Sequence, residues 1–209
     1  MSKSWLKYEL AIILILAFTG ASAQIKSTYA GGLHFSTMTL KGAELESVPG
    51  RPLGFHFGYL FDIPVFRAFT FQPGVLFSAK GTKYRIDSTD YTISPIYLEV
   101  PANAAFTFGG RRIKVILLAG PYIAFGVAGT IWESRQSVQE LKFGKGPDSD
   151  IRFIDAGLNF GIGVKANRFL VTAYYEMGMT DVSGNNFGIA QMKNRVLGIS
   201  FSTAFVSQK

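Results

Sequence analysis

The 209 residues include no cysteine, which removes disulfide frameworks and thiolate metal sites from consideration. Histidine is nearly as scarce. The two histidines, His34 and His56, have no acid or thiol beside them in sequence, so they read as hydrogen-bonded side chains and no metal ligands are assigned. Charged residues make up 17% of the chain and sum to +7, a balance that raises the question of nucleic acid. The basic residues are scattered, however. Arg111, Arg112 and Lys114 form their one tight group, as a basic turn between strands would, and no nucleic-acid partner is expected. A Gly-x-Ser-x-Gly elbow, a phosphate loop and a zinc-protease helix are also missing, so the chain is expected not to be an enzyme and to carry no cofactor. Ser134, Asp148 and Asp150 fall in one connection, but neither histidine is placed to complete a nucleophilic set with them. After Gln24 there is no apolar run long enough for a membrane helix and no sustained helical spacing.

The chain is rich in apolar side chains, at 48%, and in aromatics, at 14%. Its N-terminus has the three parts of a secretory signal. Lys3 and Lys7 precede an apolar stretch from Leu10 to Phe18, and Ala21-Ser22-Ala23 then supplies small residues for cleavage before Gln24. The stretch is about half the roughly 20 residues that a helix needs to span hydrocarbon, which favours a cleaved peptide over an anchor. The expected organisation is a signal peptide over 1–23 and one domain over 24–209.

That domain runs on a period of two. Leu53, Phe55, Phe57, Tyr59 and Phe61 alternate with Gly54, His56, Gly58 and Leu60, and Ile154, Ala156, Leu158, Phe160 and Ile162 alternate with Asp155, Gly157, Asn159 and Gly161. Such alternation makes strands with two unlike faces. Candidate strands fall at 27–39, 53–61, 69–85, 92–108, 114–129, 151–166, 169–179 and 193–206, each near or above the 9 to 11 residues of a tilted membrane strand. The connections 40–52, 86–91, 130–150 and 180–192 are polar and mostly long, with 130–150 the largest, whereas 62–68, 109–113 and 167–168 are shorter. Long external loops and short periplasmic turns produce this asymmetry. Pro73, Pro101 and Pro121 count against ideal ladders, and Val115–Val127 is apolar on both faces.

The less apolar face separates a membrane barrel from a soluble one. A solvated face needs Lys, Glu, Asp and Arg. Here it carries Gly198, Ser200 and Ser202 opposite Leu197, Ile199 and Phe201, which suits a crowded interior and a lipid-facing exterior. The expected fold is all-β, a transmembrane up-and-down antiparallel β-barrel of about eight strands in the outer membrane, with lipid as its principal partner. Strand parity sends Lys80, Glu99, Asp155 and Glu176 into the lumen, where opposite charges should pair in a structural polar cluster.

Several stretches carry a family resemblance: Gly54-Phe55 through Asp62, Phe71-Gln72-Pro73-Gly74-Val75-Leu76-Phe77, Ile96-Tyr97-Leu98-Glu99-Val100-Pro101, Ala119-Gly120-Pro121-Tyr122, Asp155-Ala156-Gly157 and Gly161-Ile162-Gly163. Together they resemble the PorT-like outer-membrane β-barrel family. The resemblance implies an outer-membrane location in gram-negative bacteria and, for the founding member, a part in type IX protein secretion alongside other envelope proteins. Most relatives carry no assigned activity. The functional expectation is a closed barrel acting as an envelope structural or interaction protein.

Overall fold

The computed structural model describes residues 25–41, 46–47, 52–86, 89–133, 137–146, 148–184 and 191–204. The expected signal peptide lies outside these residues. Eleven strands form one antiparallel sheet: β1 (Lys26–Lys41), β2 (Glu46–Ser47), β3 (Leu53–Phe66), β4 (Phe69–Ala79), β5 (Thr82–Ile86), β6 (Thr89–Gly109), β7 (Ile113–Glu133), β8 (Ser137–Glu140), β9 (Ile154–Ala166), β10 (Phe169–Gly178) and β11 (Gln191–Ala204). Eight of them close a ring in the order β1-β3-β4-β6-β7-β9-β10-β11, sealed where β1 pairs with β11 from Thr28↔Ala204 to Lys41↔Gln191. Closure leaves no free edge within the wall, which a strand structure in lipid requires.

Side chains obey the period of two around the ring. Leu33, Phe35, Phe55, Phe57, Tyr59, Phe160, Ile162, Leu197, Ile199 and Phe201 are exposed on the outside, while Thr28, His34, Gln72, Asn159, Thr172 and Ser202 are buried inside. Val115–Val127 lies within β7 as a strand. Its inward residues Ile116 and Tyr122 fill the lumen, and its outward Leu117, Ile123 and Val127 are exposed. That segment reads as apolar on both faces because the lumen here is itself packed with apolar groups.

The prolines leave local marks on the ladders without opening the ring. The β4–β6 ladder skips from Pro73↔Ala102 to Leu76↔Glu99, and the β6–β7 ladder from Pro101↔Tyr122 to Ala104↔Ala119, each in an unchanged register. A residue without an N–H cannot donate to its neighbour, so pairing lapses at these positions.

At the end where β1 starts and β11 finishes, the 167–168 turn is as expected and the turn after β3 is tighter than the sequence suggests. Arg67-Ala68 and Asn167-Arg168 are two-residue connections, so β3 runs on to Phe66 where a 62–68 connection is expected from sequence. Arg67 and Asn167 both have positive φ, 25° and 54°, as tight hairpins demand. By the rule that tight turns face the periplasm, this is the periplasmic end. At the opposite end, β6 and β7 each run for 21 residues, about twice what a membrane strand needs. Their surplus pairs with β5 and β8, and β2 joins β5, so that β2-β5-β6-β7-β8 form a five-stranded outcrop.

Candidate functional site

The lumen has three layers. Its centre begins at Lys80, in the two-residue break between β4 and β5. There the chain leaves β3 after Phe55↔Ala79, the Lys80 amide donates to Pro95 O at 2.9 Å, and the Gly81 amide donates to Ser36 Oγ at 2.7 Å. The inward Lys80 Nζ lies 2.9 Å from Glu99 Oε2 on β6 and 2.9 Å from Glu176 Oε2 on β10, with all three side chains buried. It also sits over the Tyr122 ring, 4.7 Å from its centroid. Asp155 on β9 is reached through that ring rather than by a direct ion pair. Its Oδ2 accepts from Tyr122 Oη at 3.1 Å and Asn194 Nδ2 at 2.9 Å, and its Oδ1 accepts from Thr180 Oγ1 at 2.9 Å. Ala124 pairs with Glu99 on one side and Asp155 on the other, so the two acids flank a small, fully buried residue on adjacent strands. The structure thus brings Lys80, Glu99 and Glu176 into contact and sets Asp155 one hydrogen bond away. Neutralising charge in this way matters because an unpaired buried ion costs several kcal/mol.

Next to this layer lies a hydrogen-bonded chain through both histidines. His34 Nε2 donates to Ala79 O at 2.9 Å, His34 Nδ1 lies 2.9 Å from Tyr174 Oη, Tyr174 Oη lies 3.0 Å from His56 Nδ1, and His56 Nε2 lies 2.9 Å from Ser200 Oγ. With both rings neutral, the Ala79 carbonyl orders the whole chain: Tyr174 donates to His34, His56 Nδ1 donates to Tyr174, and Ser200 donates to His56. Both histidines are lumen residues, as their parity requires. Among the described residues no group of three or more acids and histidines could hold a metal ion. The partner that sequence reasoning missed is Tyr174. An inward Tyr between Thr172 and Glu176 on one strand face was the available signal.

External to the ion pairs the lumen is apolar. Met38, Tyr84, Ile93, Tyr97, Tyr122, Ile131, Leu141, Ile151, Val182 and Met192 form one buried cluster. Leu141 comes from the connection expected to be a large external loop, and Ile151 from the start of the strand expected at 151–166, which begins only at Ile154 as β9. The 141–151 segment folds over the mouth. Phe143 bridges to Ile151 and Ile151 to Ser183, and the Lys142 amide donates to Asp150 Oδ2 at 2.8 Å. Asp150 is therefore buried as a loop tie, while Ser134 lies outside the described residues. The expected 130–150 connection is shorter than its bounds, because Thr130–Glu133 continue β7 and Ser137–Glu140 form β8, and Leu141 packs inside the rim.

The periplasmic half is looser and mixes polar side chains with Leu60, Leu76, Leu118 and Leu170. A cavity of about 50 Å³ is bordered by His56, Gln72, Asn103, Asn159, Thr172 and Ser200, among others. That is room for one or two waters, whose share of the liquid is about 30 Å³ each. Asp62, at the rim, accepts from Gln72 Nε2 at 2.6 Å and Thr28 Oγ1 at 3.2 Å.

A closed eight-stranded wall, aromatic outside and packed with paired polar groups inside, is the geometry of a small membrane barrel. The family model described as outer membrane protein beta-barrel domain matches residues 21–184. The chain belongs to that family. This outer membrane β-barrel is similar to three solved structures in particular. Ail, the attachment invasion locus protein of Yersinia pestis, solved with the heparin analogue sucrose octasulfate, is 15% identical, with 87% of this chain and 99% of that chain covered and a TM-score of 0.45. Neisserial surface protein A is 14% identical, with 86% and 97% covered and a TM-score of 0.46. The N-terminal β-barrel domain of Pseudomonas aeruginosa OprF is 12% identical, with 86% and 99% covered and a TM-score of 0.33. No curated protein matches the chain.

Proposed function

We propose that this outer membrane β-barrel is a closed, non-enzymatic envelope protein that works through the surfaces it presents outside the bilayer. The observation that carries the reading is the filled lumen: Lys80, Glu99 and Glu176 pair across its centre, and Leu141, Ile151 and Val182 pack above them. An eight-stranded interior is barely wide enough for its own side chains, so a filled one leaves no route for solutes. The presenting surface is the outcrop, where Arg85 pairs with Asp90 at 2.6 Å and Trp132 is exposed.

The resemblance to the PorT-like family supports a narrower form of this role, participation in secretion machinery of the type IX kind. Both forms require a partner. Affinity capture of the barrel from detergent-solubilised outer membranes should retain a stoichiometric envelope protein, and shortening the β5–β6 hairpin should release it. Turnover of a peptide or ester by the purified barrel alone, with capture unaffected by the shortened hairpin, would contradict the proposal. A secretion defect on deletion of the protein would select the narrower role.

A further inference from the structure

The two ends of the barrel differ in charge more than in any other respect. Every tight turn at the periplasmic end carries arginine: Arg67, then Arg111 and Arg112, then Arg168, all exposed. Lys114 and Lys165 stand directly opposite each other at the adjoining ends of β7 and β9. Against these six cations, that end has one acid among the described residues, Asp62, which faces Lys26 across the β1–β3 ladder and is engaged by Thr28 and Gln72. None of the six makes an ion pair with a described residue. The external end is mixed, with Asp90, Glu133, Glu140, Asp148, Asp150 and Asp181 among its lysines and arginines.

Depth identifies what the cations meet. Phe66, Phe108, Ile113 and Phe169 are exposed on the outer wall at 63%, 46%, 59% and 42%, within three residues of the turn arginines. Aromatic side chains at the edge of an apolar wall mark the interface between hydrocarbon and headgroups. A strand rises about 3.3 Å per residue, so the arginines fall within the headgroup layer just beyond those rings. The Arg168 guanidinium lies over the Phe169 ring, 5.2 Å from its centroid, a cation–π contact at the edge of the apolar wall. Arg67 adds a second observation. Its positive φ of 25° is a conformation that glycine or asparagine adopts with less strain, so turn geometry alone does not account for an arginine there. Guanidinium matches phosphate with paired donors.

We infer that the periplasmic rim, through Arg67, Arg111, Arg112 and Arg168, is a binding surface for the phosphates of anionic phospholipids in the leaflet at that end. This inference rests on the membrane reading. The arginines are placed around the circumference, so they hold a shell of headgroups rather than one ligand, and the attraction is sensitive to salt.

The test uses the full mature chain in vesicles of phosphatidylcholine containing spin-labelled phosphatidylglycerol or spin-labelled phosphatidylcholine, with the protein-bound fraction of each label read by electron paramagnetic resonance. Heat-modifiable migration on gels first confirms insertion. The unmodified barrel should prefer phosphatidylglycerol by about fivefold or more at low salt, and 1 M NaCl should erase the preference. The variant Arg67→Gly/Arg111→Gln/Arg112→Gln/Arg168→Gln should show none, and Lys142→Gln/Lys145→Gln at the external end should keep it. If the quadruple variant does not insert, Arg112→Gln and Arg168→Gln singly should each reduce the preference. An inserted barrel that binds the two labels equally, or a quadruple variant that keeps the preference, overturns the inference alone. A chain that never inserts overturns the membrane reading with it. Displacement of the lipid label by soluble polyglutamate would assign the rim to an acidic protein partner and also overturn the inference.

Discussion

Within one lumen, the external half is packed like the core of a soluble protein, while the periplasmic half mixes amides and hydroxyls with leucines around a small cavity. Outside the Lys80 ion pairs sit Tyr84, Ile93, Tyr97, Ile151, Val182 and Met192, each 1% exposed or less, held by the folded-over segments around Asp150 and Val182. On the other side lie Gln72, Asn103, Asn159, Thr172 and Ser200 around a cavity of about 50 Å³. The barrel wall is the same in both halves, so the contrast comes from what fills it. The external half has extra chain, from the 141–151 and 180–183 segments, to supply apolar side chains. The periplasmic half has only two- and three-residue turns and must fill itself with inward strand residues. Closure is therefore a property of the external half and of the ion pairs beneath it.

The contrast is broken most severely at its boundary. Lys80→Ala leaves Glu99 and Glu176 buried without their cation, and loss of one partner of a buried pair costs about 3–5 kcal/mol. The heat-modification midpoint in detergent should drop sharply, and Lys80→Ala/Glu99→Gln/Glu176→Gln should recover a large part of the loss. An unchanged midpoint in the single variant would show that the pairs carry no stability. Ile151→Ala comes next. It removes a fully buried side chain from the external cluster, and about 2–4 kcal/mol should go with the cavity left behind, measured by urea unfolding in lipid vesicles. Tyr174→Phe, at the junction of the halves, deprives His34 and His56 of the hydroxyl between them and should cost about 1–3 kcal/mol in the same assay. Asn103→Ala, in the periplasmic half, should cost less than about 1 kcal/mol, because water can occupy the space the amide leaves. A penalty at Asn103 as large as that at Ile151 would erase the contrast.

The smallest effect lies in the cap and depends on pH. Burial alone would raise the pKa of Asp181, but hydrogen bonds from the Met192 and Ser183 amides, aided by Arg152, outweigh it and hold the carboxyl below its ordinary value. A depressed pKa means stability that is present above the unfolded-state value and lost as pH falls through the folded-state value. Asp181→Asn should flatten that acid limb in an unfolding profile, and a profile identical to that of the unmodified barrel would show that the tie has no weight.

Much of this architecture is legible in the sequence because a strand's period of two is insensitive to small errors in its boundaries. Alternation in Leu53–Phe61 and Ile154–Gly163 is enough to choose the faces, and the same parity turns Lys80, Glu99, Asp155 and Glu176 inward. What parity cannot say is which inward residues meet across the lumen, since that depends on the shear of the closed ring. Hence Tyr174, which joins the two histidines, went unnoticed, and the separate seat of Asp155 against Tyr122, Asn194 and Thr180 could not be foreseen. The cap was hidden for another reason. Leu141, Phe143 and Ile151 are spaced among Lys142, Lys145, Asp148 and Asp150, a composition that reads as a solvated loop until a hydrophobic mouth is there to receive it. The break at Lys80-Gly81 was equally silent, because β4 and β5 keep the same parity across it.

Single-channel recording tests the central claim of closure most directly. The purified barrel, shown by heat-modifiable migration to be folded, is inserted into a planar lipid bilayer in 1 M KCl. The account predicts no stable, large conductance across the working voltage range, because the ion-paired layer and the apolar cap fill the lumen. A steady porin-sized current from the unmodified protein would contradict it.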